Sequence, residues 1–211
     1  MLRQCFLFLF LIGSLPSIAQ YAGYIPLGES GAFKTSFAAA AQKTNSIRSN
    51  FIQEKSLSML EEKIISKGKF WFKKENRVRM EYQEPFQYLL VINNSQVLVR
   101  DGEKENKISA RSNKIFGEIN QIMIDCVQGT VLSNPGFSVR IFYGNQSYFI
   151  ELSPISKIMK ELFKNVIVHV GQTDYSAFRI ELNEINGDKT LIRFTNKELN
   201  VEIPDSLFAV H

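Results

Sequence analysis

The feature that most constrains the fold is an alternating stretch of sequence from Gly68 to Pro85. Apolar side chains occupy every second position on both sides of a polar turn, and the proline closes the second half. Because successive side chains of a strand point to opposite faces, this pattern predicts a β-hairpin with one apolar face and one polar face. The polar face, with Trp71 among its charged residues, is expected to be mostly hydrated. The apolar face contains Phe70, Phe72, Val78, Met80 and Tyr82.

The same alternation recurs along most of the chain, between two amphipathic helices. The first helix is predicted from Gly31 to about Ser46 and the second over residues 113–128. Ser153 and Pro154 suit the N-cap and first position of a short third helix. Short turns rich in Asn, Gly and Asp join the predicted strands, which favours antiparallel neighbours. We therefore expect a mainly β (α+β) fold in which ten or eleven strands form one curling antiparallel sheet, with two or three helices.

The first 19 residues are predicted to be a secretory signal peptide. Arg3 precedes a short apolar run from Phe6 to Ile12, and small residues lead to a cleavage site after Ala19. No cysteine follows the apolar run at the position that a lipid anchor needs, so we expect an unanchored mature protein. Residues 20–211 are expected to form a single domain that begins with an irregular segment to about residue 30. The formal net charge of +4 is too small to favour nucleic-acid binding.

The sequence offers little chemistry for catalysis. His169 and His211 are the two histidines, and neither belongs to a pair with metal-ligand spacing. Cys126 lies on the apolar stripe of the second helix and is expected to be buried. His169, which alternates with valines, is expected at an exposed strand position. Phosphate-binding loops and serine-nucleophile motifs are also missing, so neither an enzyme nor a cofactor or metal is expected.

Aromatic content leaves two alternatives open. The chain has seventeen Phe and seven Tyr. These side chains can fill the core of a β-sandwich or barrel, or they can line a cavity for lipid. Composition alone favours the core.

The hairpin resembles the signature of the LolA family, the periplasmic carriers of outer-membrane lipoproteins. The family pattern is approximately G-x-[LF]-[WY]-x-x-[RK]-P-x-x-x-R-W-x-Y-x-x-P, and the chain aligns with it without a gap. Further similarity lies in residues 51–53, 152–154, 187–194 and 206–208, so the resemblance covers nearly all of the mature chain. The positions aligned with the pattern are Gly68, Phe70, Trp71, Lys74, Arg79, Met80, Tyr82 and Pro85.

This resemblance implies an open half-barrel, with the helices as a lid over its concave face. It also implies a chaperone that carries lipoproteins from the inner to the outer membrane. The implied partners are acylated lipoproteins, an inner-membrane ABC transporter of the lipoprotein-releasing type and an outer-membrane acceptor, and the carrier is expected to be a monomer in the periplasm. The alternative is a related half-barrel that binds a free lipid or acts as an envelope sensor.

The chain departs from the family pattern at two positions of the hairpin. An Arg-Pro pair ends the first strand in well-studied members, where the arginine hydrogen-bonds to the lid. Here the pair is Lys74-Glu75, and lysine lacks the planar fork of arginine, so a weaker or different attachment is expected. Met80 replaces the tryptophan of the pattern.

The resemblance and the alternation together give a set of predicted site residues. Lys74 and three isoleucines of the second helix, Ile115, Ile119 and Ile122, are predicted to make lid contacts. The acyl cavity is predicted to be lined by Phe51, Phe70, Phe72, Met80, Tyr82, Val91, Ile150, Leu152, Ile192 and Phe194.

Overall fold

The structure of the chain is a computed structural model. It describes residues 21–60, 62–102, 104–109 and 114–210, but not the side chains of residues 104–109 and 114–120. The predicted signal peptide lies outside the described residues.

The described residues form twelve strands and three α-helices, with short 3-10 turns at Val131–Ser133 and Asp205–Phe208. The helices are α1 (Gly31–Lys43), α2 (Lys114–Gln128) and α3 (Lys157–Leu162). The strands are β1 (Tyr24–Pro26), β2 (Ser46–Leu57), β3 (Glu62–Lys73), β4 (Arg77–Glu84), β5 (Tyr88–Asn93), β6 (Gln96–Asp101), β7 (Lys104–Ser109), β8 (Phe137–Gly144), β9 (Ser147–Pro154), β10 (Phe163–Gly171), β11 (Ala177–Glu184) and β12 (Lys189–Leu199).

All twelve strands belong to one antiparallel sheet in the order β1-β8-β9-β10-β11-β12-β2-β3-β4-β5-β6-β7. It consists of two meanders, β2 to β7 and β8 to β12, which are joined where β12 pairs with β2. Phe194 lies opposite Phe51 in this central pair. The outermost described strands, β1 and β7, do not pair with each other, so the sheet is an open half-barrel with a helical lid. The predicted fold class is confirmed.

The inner face of the sheet, which the helices cover, carries the main hydrophobic core. Phe33 and Phe37 of α1 and the second half of α2 pack there against residues from nearly every strand. The pairing of β3 with β4 places Phe70 opposite Met80 and Phe72 opposite Val78. All four of these side chains are at most 2 % exposed. The alternation that predicted the hairpin therefore also predicted which of its faces is buried.

The outer face of the hairpin differs from the prediction of a hydrated surface. Residues after β12 cross this face, and Ile203 and Phe208 pack there with Leu89, Val91 and Leu98. Trp71 packs against the same cluster. The hairpin sequence does not indicate this cover, because the covering segment is more than 100 residues away along the chain.

Three local boundaries also differ from the sequence predictions. The lead-in contains strand β1, whose three residues pair with the free edge of β8 and are too few to show alternation. Helix α1 ends at Lys43, because Ser46 already pairs with Lys73 in the sheet. Ser153 and Pro154 belong to β9, and the N-cap of α3 is Ser156, whose hydroxyl accepts a hydrogen bond from the Met159 amide at 3.3 Å.

Candidate functional site

The inner face brings together nine of the ten residues predicted to line the cavity. Seven of them belong to the buried core, and Tyr82 and Phe194 are partly buried against it. Val91 is the exception, because it lies opposite Arg79 and therefore on the outer face. The inward positions of β5 are Leu90 and Ile92, one residue to either side. The strand is buried on both faces, so its sequence shows no alternation that would fix which residues point inward.

On the inner face, Gly68 leaves room for a group of aromatic side chains. A Cβ atom at this position would lie 2.8 Å from the ring of Phe51 and 2.0 Å from the main-chain oxygen of Glu81. The missing side chain therefore lets the Phe51 ring lie directly over β3. The ring of Tyr82 meets Phe51 edge to face, with 4.8 Å between ring centroids. Phe70 and Phe194 make a second pair at 5.1 Å.

A cavity of about 270 Å³ opens on this face at the end of the sheet where β2 meets β3. Its volume is close to the lower end of the range for small-molecule pockets, about 300 Å³. Met123 of α2 faces the sheet across the cavity. We call this cavity the mouth. Its described lining residues are Gln53, Lys55, Met80, Tyr82, Tyr88, Leu90, Met123, Leu182, Glu184, Thr190 and Ile192.

Several polar groups of the mouth pair with one another at its rim. Tyr82 donates a hydrogen bond to Oε1 of Gln53 at 3.0 Å. Burial raises the pKa of Tyr82 above its ordinary value, and it also raises the pKa of Tyr88, so both phenols stay protonated. Lys55 and Glu184 lie 3.6 Å apart at the edge. The mouth therefore offers an apolar interior with a paired polar margin.

The space under the C-terminal halves of the two lid helices is much smaller. A cavity of about 30 Å³ lies there between α1, α2 and the strands, which is about the volume of one water molecule. Phe70 and Phe194 line it from the sheet, and Ala41 and Cys126 line it from the helices. The hydroxyl of Ser49, at the base of this cavity, is buried without a hydrogen-bond partner. A ligand chain reaches this region only if the lid moves.

The turn between β3 and β4 binds the ends of both lid helices. Nζ of Lys74 donates a hydrogen bond to the main-chain carbonyl of Gln42 in the last turn of α1. The side-chain amide of Gln128, the last residue of α2, donates to Oδ1 of Asn76. The lysine that replaces the family arginine therefore contacts the lid through one main-chain carbonyl.

Close packing between the helices completes the lid. Gly129 follows α2 with a φ of +73°, and a Cβ atom there would lie 2.7 Å from the Cβ of Ala41. Ile122 is 1 % exposed and faces the core. Ile115 and Ile119 lie on the first turns of α2, and their side chains are outside the part of the chain that the structure describes. Cys126 is buried as predicted, and burial raises the pKa of its thiol.

On the outer face, charged residues of the hairpin hold the segment that follows β12. Lys73 donates to the main-chain oxygen of Ile203 at 2.9 Å. Arg79 donates to that of Leu207 at 3.2 Å and lies over the Trp71 ring at 5.7 Å. The turn of the hairpin thus contacts the lid, and the outer face of the hairpin contacts the segment that follows β12. The sequence analysis missed this second role.

The prediction that His169 occupies an exposed strand position is wrong, because the residue is buried. Its Nε2 lies 2.9 Å from Oε1 of Glu181, and Arg179 lies 2.6 Å from the same oxygen. Tyr24 and Phe149 flank the imidazole ring. His169 and Glu181 lie on the outer face, away from the mouth.

The described residues contain neither a candidate metal site nor a candidate membrane-spanning helix. No group of three His, Cys, Asp or Glu side chains in this part of the chain is arranged to hold a metal ion. None of the described helices is both long and apolar enough to cross a membrane.

The sequence analysis also missed several residues of the mouth, including Tyr88, Leu90, Leu182 and Thr190. Tyr88 and Leu90 share the parity of Ile92 in β5, so correct register in that strand would have identified them. Gln53 and Lys55 share the inward parity of Phe51 in β2 and also line the mouth, but they were not among the predicted site residues.

Comparison with known proteins supports the fold. A chain of the MucA/MucB complex of Pseudomonas aeruginosa superposes with a TM-score of 0.53 and 13 % identity, over 86 % of this chain and 62 % of that one. An uncharacterized conserved protein of Thermus thermophilus gives a TM-score of 0.52 and 8 % identity, over 85 % of this chain and 93 % of that one. The LolA superfamily protein NE2245 of Nitrosomonas europaea gives a TM-score of 0.45 and 10 % identity, over 84 % of this chain and 97 % of that one, and this lower score adds no support for the fold.

At the level of sequence, the chain matches a family model. No curated protein sequence matches the chain significantly. The model for outer membrane lipoprotein carrier protein LolA, in contrast, matches residues 42–211. This range contains the hairpin, the mouth, α2 and the segment that crosses the outer face. The chain belongs to the LolA family of outer membrane lipoprotein carrier proteins.

Proposed function

We propose that the protein is a periplasmic chaperone that binds the acyl chains of lipoproteins and carries them from the inner to the outer membrane. Export depends on the predicted signal peptide at residues 1–19. The proposed donor is an inner-membrane ABC transporter of the lipoprotein-releasing type, and the proposed acceptor lies at the outer membrane. Family membership supports a carrier, and the mouth supports lipid as the cargo.

The observation that carries the proposal is the apolar mouth beneath a helical lid. Each CH₂ group in water costs about 0.8 kcal/mol, so an acyl chain of ordinary length costs roughly 12 kcal/mol. A carrier must cover most of that length during transit. The mouth of about 270 Å³ provides the first part of such a cover, between Met80, Leu182 and Ile192 of the sheet and Met123 of α2.

The remaining length requires movement of the lid. Beneath the C-terminal halves of α1 and α2, the described residues leave a cavity of about 30 Å³ above the sheet. The described core residues of the two helices that pack on the sheet include Phe33, Phe37, Ile122 and Met123, and a lipid chain can replace their apolar contacts. The polar contacts of Lys74 and Gln128 lie at one end of the lid, next to the turn between β3 and β4. We infer that the helices move apart over the sheet as the acyl chain enters, while their ends stay attached to the turn between β3 and β4.

Purification from the native envelope tests this function. The protein, isolated with mild detergent, is expected to carry acylated lipoprotein detectable by mass spectrometry of both the peptide and its lipid. Recovery of free lipid without lipoprotein would favour the alternative, a half-barrel that binds free lipid or senses the envelope. Recovery of neither, together with no binding of a fluorescent fatty acid by the pure protein, would contradict lipid carriage.

A further inference from the structure

The β2–β3 hairpin extends beyond the neighbouring strand of the sheet. Strand β4 pairs with β3 only as far as Lys67, opposite Glu84. The five residues Glu62–Ser66 of β3 therefore pair with β2 alone. At about 3.3 Å per residue, the hairpin projects roughly 16 Å past the end of β4. On its other side, the β11–β12 turn supports it through Ser58, whose amide donates to Oδ1 of Asp188 at 2.9 Å.

This projecting hairpin is apolar at its tip and on both faces. Met59 is 92 % exposed and Leu60 is 60 % exposed. Ile64 and Ile65, which point to opposite faces of β3, are 41 % and 53 % exposed. A flat protein partner covers one face of a hairpin and leaves the other in water. A lipid phase surrounds the tip and covers both faces at once, so lipid is the environment that this distribution fits.

The same rim of the half-barrel carries further exposed apolar side chains. Phe86, in the turn between β4 and β5, is 73 % exposed. Ile185, in the turn between β11 and β12, is 54 % exposed. Lys55 and Glu184, which line the mouth, lie near the ends of β2 and β11, next to the β2–β3 and β11–β12 turns. The apolar rim is therefore continuous with the entrance to the mouth.

Charges of both signs lie along the rim. Lys67 binds Glu84 at 2.8 Å, and Lys55 lies 3.6 Å from Glu184. Beside the tip, the sequence continues from Leu60 with two acidic residues, Glu61 and Glu62, and one basic residue, Lys63. This arrangement has no excess of positive charge that would require anionic lipid. It is complementary to a surface whose head groups carry both a phosphate and an amine.

We propose that this rim docks on the surface of a zwitterionic phospholipid bilayer, with the tip of the β2–β3 hairpin inserted among the lipids. Docking in this orientation places the mouth against the membrane, so that an acyl chain passes between bilayer and cavity with little exposure to water. The biological use of the contact rests on the proposed function, but the exposed apolar side chains that make the contact lie outside the cavity.

Sedimentation with vesicles of phosphatidylcholine tests the contact directly. The mature chain, from Gln20 onward, is expected to bind these vesicles, and added phosphatidylglycerol should change the binding little. The double substitution Met59→Ser with Leu60→Ser should weaken partitioning by about tenfold or more, since two large apolar side chains no longer enter the bilayer. Ile25→Ser is the matched control, because Ile25 is also 60 % exposed but lies in the edge strand β1. It should leave vesicle binding unchanged.

A fluorescent label locates the inserted segment. Met59→Cys can be labelled selectively with a polarity-sensitive probe, because Cys126 is buried and its thiol has a raised pKa. The emission should shift to shorter wavelength when vesicles are added, whereas the same probe on Ile25→Cys should not respond. An unchanged emission at position 59, or equal vesicle binding by the double variant, would overturn the proposal.

Binding of a fluorescent fatty acid, measured in parallel, separates this inference from the proposed function. The double variant is expected to keep its affinity for the fatty acid while losing vesicle binding. Fatty-acid binding without vesicle binding by the wild-type chain overturns the membrane contact alone. Vesicle binding without fatty-acid binding overturns the cavity function and leaves the contact standing.

Discussion

Nζ of Lys74 donates a hydrogen bond to the main-chain carbonyl of Gln42, and this contact joins the signature hairpin to the first lid helix. The carbonyl lies in the last turn of α1, where the helix leaves its carbonyls without partners and the helix dipole favours a cation. A lysine can therefore attach this helix without the planar fork of an arginine.

Substitution Lys74→Leu should loosen this attachment and shorten the retention of cargo. Loss of one hydrogen bond between a charged donor and a carbonyl is worth about 1–2 kcal/mol, which corresponds to roughly a fivefold to thirtyfold faster release of a fluorescent fatty acid in stopped-flow measurements. Lys34→Leu, at an exposed position of the same helix, is the control. Equal release rates in the two variants would remove Lys74 from the mechanism.

Substitution Gly129→Ala should destabilise the lid through two separate effects. The positive φ costs about 1–2 kcal/mol for a residue with a Cβ, and the new Cβ meets that of Ala41. Gly102→Ala isolates the first effect, since Gly102 has a φ of +57° with open space around it. Urea unfolding should show the larger loss for Gly129→Ala. Adding Ala41→Gly should recover the excess, and no recovery would contradict the close contact.

Substitution Thr190→Phe should block the mouth. Thr190 is nearly buried and lines the cavity, where its hydroxyl makes only a long contact of 3.4 Å to Glu184. A ring placed there occupies space that an acyl chain needs, so fatty-acid affinity should fall by about tenfold or more while the circular dichroism spectrum stays unchanged. Thr35→Phe, on the exposed side of α1, controls for added hydrophobicity.

Substitution Glu181→Gln should change the dependence of stability on pH. The hydrogen bond from His169, followed by the charge of Arg179, lowers the pKa of the Glu181 carboxyl below its ordinary value. A carboxyl with a lowered pKa in the folded state stabilises the protein above its ordinary pKa of about 4.3, and this contribution is lost as the pH falls towards the folded-state value. At pH 7, the free energy of unfolding of the wild type should exceed that of the variant by about 1 kcal/mol. Thermal unfolding should show the two converging in acid, and a constant difference would contradict the assignment.

Substitution Phe208→Ala should release the segment that covers the outer face. Phe208 is fully buried there, and truncation of a buried phenylalanine costs about 3 kcal/mol or more. Trp71, the single tryptophan of the chain, packs in the same cluster, so its emission should shift to longer wavelength. Ser206→Ala, at an exposed position of the same turn, should leave the emission unchanged.

Local patterns of apolar and polar residues in the sequence were sufficient to predict most of the fold. Alternation in the hairpin predicted the buried faces of β3 and β4, and the helical stripe containing Cys126 predicted a second helix that is observed at Lys114–Gln128. These predictions succeeded because each element is buried on one face, and burial on one face leaves a period in the sequence. Where both faces are buried, as around Val91, the period disappears and the sequence did not show which residues point inward.

The sequence by itself determined the curled antiparallel sheet, its two amphipathic helices and the family to which the hairpin is similar. Only the tertiary structure decided what the polar residues of the hairpin do. Arg79 and Trp71 lie under a segment that follows β12, and His169 is buried beside Glu181 from the adjacent strand. The tertiary structure also decided how far the β2–β3 tip projects. These features depend on contacts between residues distant along the chain, or on where a neighbouring strand ends, and neither leaves a local period for sequence analysis to detect.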